Sequence, residues 1–337
     1  QEISDFPEAP EVLVLAGKGH NGGDALLAAA EIRRRYPQTN VSIVSSSVRD
    51  TWKPLTGWAM GELGEADVLE LDQVAGRRFD VCIDGLLGMS YQPPLRENER
   101  RIVELVNDHD AILLRAAVDL PTGYGDVCFR ADFTYATGVA KAPLFESENR
   151  VCVGRIRYCD IGFFDRPYLG ERAFNGEILT KDVLRPLAGL RRPQTDKRTF
   201  GHLFVISGSR GMPGALLMAV KAALHSGVGL VTAFAPESVA PHFAAMLPEV
   251  MWVPWPETPG GGLALEGRHL LLEKACKATA LLMGPGIGRE RETHILAQEL
   301  ARELSVPLAL DADLLTPEMA DVVSARDPIR GPVLVTP

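Results

Sequence analysis

Short, wholly apolar runs alternate with longer stretches of mixed polarity along most of this chain. Val12-Leu13-Val14-Leu15-Ala16 has no polar position, which predicts a strand covered on both faces. Asp24 to Arg35 carries enough Ala and Leu for the helix that follows. The rhythm returns at Val41-Ser42-Ile43-Val44, at Val81-Cys82-Ile83-Asp84, and at Ala111-Ile112-Leu113-Leu114 with Ala117-Val118-Asp119 just behind it. Apolar strands separated by helix-length segments predict an α/β fold with a mostly parallel, doubly wound sheet.

Between Arg166 and Arg198 the periodicity weakens into a polar connection punctuated by Pro186 and Pro193, which predicts a domain boundary near residue 170. The βα rhythm then restarts. Strands are expected at Leu203–Ile206, Gly229–Phe234, Ala280–Met283, Pro307–Leu310 and Val333–Val335, with helices from Gly214 to about His225 and from Thr293 to Leu304. Two doubly wound α/β domains, 1–170 and 171–337, fit a chain of 337 residues, since roughly 100–200 residues make one domain.

Net charge is −9 with no sustained basic tract, so small molecules are expected as ligands rather than nucleic acid. The apolar runs are short and no secretory signal stands at the start, so neither a membrane nor export is expected. Five cysteines without a Cys-x-x-Cys pair indicate neither a disulfide scaffold nor a zinc site, and a reducing, cytoplasmic setting is expected.

Candidate chemistry gathers at two glycine-rich segments that follow apolar strands: residues 17–24 (Gly-Lys-Gly-His-Asn-Gly-Gly-Asp) and 208–215 (Gly-Ser-Arg-Gly-Met-Pro-Gly-Ala). Backbone N–H groups at such junctions favour anions, which suggests ligands bearing phosphate. Gly17, Gly19 and Gly22 satisfy G-x-G-x-x-G, but Ser45-Ser46-Ser47 stands after the second strand where an NAD-binding acid belongs. An ordinary NAD dehydrogenase is therefore poorly supported. Asp84 and Asp119 close later strands, so Asn21, Asp84, Asp119 and Thr122 can converge at one sheet rim. Oxygen ligands of this kind suit a hard cation or acid/base work.

Residues 12–29, together with Ile83-Asp84-Gly85-Leu86-Leu87-Gly88 and Val118-Asp119-Leu120-Pro121-Thr122-Gly123, resemble the NAD(P)H-hydrate epimerase domain, also called the YjeF N-terminal domain. The resemblance implies a Rossmann-like domain that interconverts the R and S epimers of NADHX and NADPHX, nicotinamide cofactors damaged by addition of water across a ring double bond. It assigns His20, Asn21, Gly22, Gly23 and Asp24, and Gly88, Met89, Ser90 and Tyr91 in the loop running to about Pro94, to the hydrated dinucleotide. It assigns Asn21, Asp84 and Thr122 to a potassium ion, and it makes Asp119 the substrate-contacting acid/base residue. Lys141 falls where the family has a lysine and is read as a solvated side chain. His20 and Ala25 depart from the family's usual Asn and Gly, and only eleven residues precede Val12, so epimerase activity is expected to be reduced or absent.

From Lys197 onward, Gly201–Ser209, Gly211–Ala215, Gly284-Pro285-Gly286-Ile287-Gly288, Asp311-Ala312-Asp313 and Thr336-Pro337 occur in an order that resembles the ADP-dependent NAD(P)H-hydrate dehydratase domain of the ribokinase-like superfamily. The resemblance implies phosphorylation of the hydrate by ADP with magnesium, then loss of phosphate to restore NAD(P)H, with AMP released. It places Ala215, Gly286 and Gly288 around the hydrated ring, and leaves Asp311 and Asp313 open between structural and catalytic roles. The family's nucleotide loop and Gly-Thr-Gly-Asp turn lie beyond residue 337, so the C-terminal domain is expected to be partial and not to dehydrate NADHX by itself. A bifunctional nicotinamide-nucleotide repair protein truncated at both ends, and a homo-oligomer, is the expectation. A ribokinase-like small-molecule kinase and a catalytically silent scaffold are the alternatives.

Overall fold

The computed structural model describes residues 7–165 and 176–336. The chain divides into two compact units, Gln1–Leu179 and Thr180–Pro337. The expected boundary at residue 170 falls outside the described residues.

The first unit carries seven parallel strands: β1 (Glu11–Ala16), β2 (Asn40–Ser45), β3 (Asp67–Val68), β4 (Phe79–Gly85), β5 (Ile112–Val118), β6 (Phe133–Thr137) and β7 (Arg155–Cys159). Their order in the sheet is β3-β2-β1-β4-β5-β6-β7. From Val12 to Ala16 β1 is apolar because both faces are covered. Val12 and Val14 pack with Ala25, Leu26 and Ala29 of α1 (His20–Arg35) and with Ala59 and Leu63 of α2 (Pro54–Leu63). Leu13 and Leu15 share the opposite core with Ile102, Val103 and Val106 of α3 (Glu97–Asn107).

The two apolar pieces expected around residues 111–119 form one strand, β5. Arg115 splits the pattern, yet its guanidinium turns back to donate to the carbonyls of Val106, His109 and Ile112, so a cation caps the end of α3. Strands β6 and β7 were not legible in the sequence. In β7 the apolar pattern is masked because Arg155 and Arg157 set their guanidinium groups over the Phe133 ring, at 5.6 and 4.9 Å.

One expectation is corrected here. Cys128 and Cys152 form a disulfide with a Cα–Cα separation of 5.9 Å, leaving Cys82, Cys159 and Cys276 as thiols. No spacing rule could find it, because the pair is 24 residues apart and meets only when the segment after β5 docks on α4 (Arg150–Val153), where Ala131 N–H donates to the Cys152 carbonyl at 2.9 Å. Protein denatured without reductant and alkylated is expected to take up label at three cysteines. Labelling of all five would remove the bond.

The second unit has six parallel strands: β8 (His202–Ile206), β9 (Leu230–Pro236), β10 (Met251–Trp255), β11 (Ala280–Met283), β12 (Leu308–Leu310) and β13 (Val333–Val335), in the order β10-β9-β8-β11-β12-β13. Val205 packs with Leu216 and Val220 of α5 (Pro213–His225), while Phe204 and Ile206 face Leu296 and Leu300 of the helix Arg291–Glu303. Among the described residues no helix is long and apolar enough to cross a membrane.

Both strand orders reverse direction once, between β1 and β4 in the first unit and between β8 and β11 in the second. At such a point the connections leave to opposite faces of the sheet and open a crevice beyond the strands' carboxyl ends. Each glycine-rich segment sits at one of these crevices.

Candidate active site

In the first unit the chain leaves β1 through residues 17–19 and enters α1 at His20, so Asn21, Gly22 and Gly23 belong to the helix's first turn rather than to a loop. Gly17 is required by close approach: a Cβ there would lie 1.8 Å from the Leu86 carbonyl oxygen. That approach places the start of α1 directly against the segment after β4, where the Asn21 amide nitrogen donates to the Leu87 carbonyl at 2.7 Å.

From there one network links the residues expected to hold a cation. Leu87 N–H donates to the Thr122 hydroxyl oxygen at 3.1 Å, and that hydroxyl donates to Asp84 Oδ1 at 2.8 Å. Asp84 also accepts from Thr122 N–H at 2.7 Å and Leu86 N–H at 3.1 Å. Its side chain is wholly buried. Burial pushes its carboxyl up to about 6, against the opposing pull of the Thr122 and Leu86 hydrogen bonds.

Asp119 follows β5 with φ of 66°, a left-handed backbone unusual for a residue other than glycine. It is buried, and its Oδ1 accepts from the Thr137 hydroxyl at 2.9 Å, from Thr137 N–H at 3.3 Å and from the Lys141 ammonium. Lys141 also donates to the Thr137 carbonyl at 2.8 Å, and its side chain is only 15% exposed. The expected solvated lysine is thus corrected: Lys141 is an inward ion-pair partner of Asp119. Asp24 lies on the rim, reached by solvent. Partial burial, then the charge of Asp119, raises its carboxyl, with nearby His20 opposing.

The expected dinucleotide loop divides. Gly88 packs against the Asn21 side chain, while Met89 and Ser90 are exposed beside it. Tyr91 turns into the core, edge-on to Tyr124 at 5.3 Å, and its buried hydroxyl has no partner among the described residues. Leu95 N–H donates to Asp126 Oδ2 at 2.9 Å and Arg100 pairs with the same carboxylate, which ties the far end of this loop to the segment carrying Thr122. Thr137 escaped notice in the sequence because the strand it closes, β6, did.

In the second unit Ala215, at the start of α5, meets the turn after β11. A Cβ on Gly286 would sit 2.6 Å from that of Ala215, and Gly286 has φ of 66°, so the turn needs glycine on both counts. Gly288 N–H donates to Asp313 Oδ2 at 3.0 Å, and Asp311 Oδ1 accepts from Ala312 N–H at 2.7 Å and the Thr336 hydroxyl at 2.6 Å. Both carboxylates therefore brace the turns that frame the crevice.

Comparison with known proteins follows the same division. Residues 2–142 match the family of the YjeF-related protein N-terminus, and residues 203–337 match the NAD(P)H-hydrate dehydratase family. The bifunctional NAD(P)H-hydrate repair enzyme Nnr of Moorella thermoacetica is 29% identical over 97% of this chain and 64% of its own length, and that of Gloeobacter violaceus is 31% identical over 99% and 66%. The chain joins a segment of the YjeF-related N-terminus family to one of the NAD(P)H-hydrate dehydratase family. It spans about two thirds of the length of these relatives. An NAD(P)H-hydrate dehydratase from Bacillus subtilis, co-crystallised with ATP/Mg2+, is 27% identical over 49% of this chain and 54% of its own, with a TM-score of 0.36. The fold assignment rests on strand order instead. Two parallel, doubly wound α/β units agree with the expected fold class.

Proposed function

We propose that the first unit interconverts the R and S epimers of NADHX and NADPHX, and that the second presents the substrate-facing part of an ADP-dependent NAD(P)H-hydrate dehydratase. What supports the first assignment is the network through Asn21, Thr122 and Asp84, with Asp119, a buried carboxylate on a left-handed backbone, three residues before Thr122 and near enough to Asp24 of α1 for its charge to raise that carboxyl. Inverting a carbon that bears a hydroxyl requires it to lose and regain one bond, and a carboxylate that takes up and returns a proton serves both directions equally. Asn21 and Gly22, in the first turn of α1, give the dinucleotide a helix N-terminus, where backbone N–H groups favour phosphate.

Asn21, Asp84 and Thr122 fit a potassium ion. The Asn21 amide commits its nitrogen to Leu87 and keeps its oxygen, and the donor set is oxygen only. Asp84, wholly buried, has no cationic partner among the described residues. When bound, the ion balances the Asp84 charge and fixes the segment that Gly88 shares with the dinucleotide. In the second unit Ala215, Gly286 and Gly288 would form the wall against which the hydrated ring lies, and ADP with magnesium would supply the phosphoryl group.

Coupling the two activities drains both epimers through one stereospecific dehydratase. The test is incubation of pure R epimer with the 337-residue protein in potassium buffer, with chromatographic separation of the epimers. Appearance of S toward an equilibrium mixture is expected, at a rate lowered by the departures at His20 and Ala25. A scaffold would leave R unchanged, and a small-molecule kinase would consume nucleotide without touching the hydrate.

A further inference from the structure

Asp119 makes its hydrogen bonds with one oxygen. Oδ1 accepts from Thr137 N–H, the Thr137 hydroxyl and the Lys141 ammonium, whereas Oδ2 has no hydrogen-bond partner among the described residues. A carboxylate buried to 8% exposure ordinarily has both oxygens paired, so Oδ2 at the carboxyl end of β5 is the oxygen left for a donor from outside the chain. Resting on the epimerase reading, we propose that Oδ2 is the atom that exchanges the proton with the ligand's hydroxyl, and that Lys141 and Thr137 are positioning residues that fix it there. In the step, the ligand's O–H bond breaks as Oδ2–H forms, and the freed oxygen pair makes a carbonyl as the carbon's bond to the ring nitrogen breaks. The nitrogen then re-forms that bond on the carbonyl's other face while Oδ2 returns the proton to the oxygen.

The geometry supplies the reason for two positioning residues. A carboxyl group turns freely about its last bond, so its two oxygens are interchangeable unless one is held. Thr137 holds Oδ1 with two donors from the end of β6. Lys141, anchored to the Thr137 carbonyl, adds a charge-assisted third. Asp119 N–H donates to the Tyr135 carbonyl at 2.9 Å, which locks the backbone to the same strand. The left-handed φ of Asp119 is then the cost of directing Oδ2 away from β6.

Lys141→Met, Lys141→Arg and Thr137→Val, assayed as initial rates of R-to-S conversion in the 337-residue protein, test the assignment. Misplacement of a reacting atom by about 1 Å costs on the order of 100-fold, so Lys141→Met is expected to lower kcat by about that factor with KM within about threefold of the parent. Lys141→Arg, which keeps a cationic donor, is expected to recover most of the loss, and Thr137→Val to lie between. A folded Lys141→Met variant with kcat within twofold of the parent overturns the proposal, as does a loss confined to KM. Should Lys141→Met not fold, Thr137→Val decides by the same kcat criterion. A parent protein that converts no R epimer overturns the epimerase reading itself, and this inference with it.

Discussion

Asp119→Asn is expected to reduce epimer interconversion by 10²- to 10⁴-fold, the range associated with losing a positioned acid/base group. The substitution is nearly isosteric, and the Asn carbonyl oxygen can still accept from Thr137 and Lys141 as Asp119 Oδ1 does. What disappears is an oxygen able to bind a proton on the side facing the crevice. The Lys141 ammonium loses its counter-charge, so a modest fall in melting temperature is expected as well. Catalytic loss and structural loss are separable, because binding of a non-reacting dinucleotide should weaken far less than turnover. The readout is kcat for R-to-S conversion beside the affinity for NADP+. A variant that retains a tenth or more of the parent's turnover would show that another group moves the proton.

The first crevice was legible because its parts obey rules that operate at short range. Buried parallel strands must be apolar on both faces, so β1 and the body of β4 stood out. The turn after β1 admits only glycine at position 17, since the Leu86 carbonyl lies where a Cβ would be. Polar residues at the ends of β1, β4 and β5, namely Asn21, Asp84, Asp119 and Thr122, were then expected at one sheet rim. In the structure Asn21, Asp84 and Thr122 join in one network.

The illegible parts depend on pairing across distance. Lys141 resembled a surface lysine because its partner precedes it by 22 residues and the strand between them, β6, has a mixed sequence. Thr137 had no signal at all without β6. Tyr91 belonged by position to an exposed loop, yet the Tyr124 ring and the tie through Asp126 draw it inward. The disulfide required knowing that residues 128 and 152 lie on segments docked together. In each case the determining contact involves the β5–β6–β7 side of the sheet or the loops leaving it, where Arg115, Arg155 and Arg157 disguise the apolar pattern.

Potassium is expected to stabilise the first unit strongly near pH 8 and weakly near pH 5. An unfolded chain leaves Asp84 near its ordinary value of 3.8, whereas burial in the native state moves it up to about 6. Between those values the native protein holds a proton that the unfolded chain has released. Stability therefore falls as pH rises through that window, and the loss is complete above it. A rise of that size weakens the fold by about 3 kcal/mol at neutral pH, where the buried group must carry its charge. A cation bound by Asn21, Asp84 and Thr122 opposes that loss only where Asp84 is ionised, so its effect must follow the ionised fraction. Hydrogen exchange of β4 amides, in potassium chloride and in choline chloride at equal ionic strength, reports on this unit alone. Protection in potassium should exceed that in choline at pH 8, and the two should converge at pH 5. Asp84→Asn should abolish the difference between the salts and flatten the pH dependence between 4 and 6. Equal protection in the two salts at pH 8 would remove the cation from this site and leave the Asp84 charge to be carried by its three hydrogen bonds.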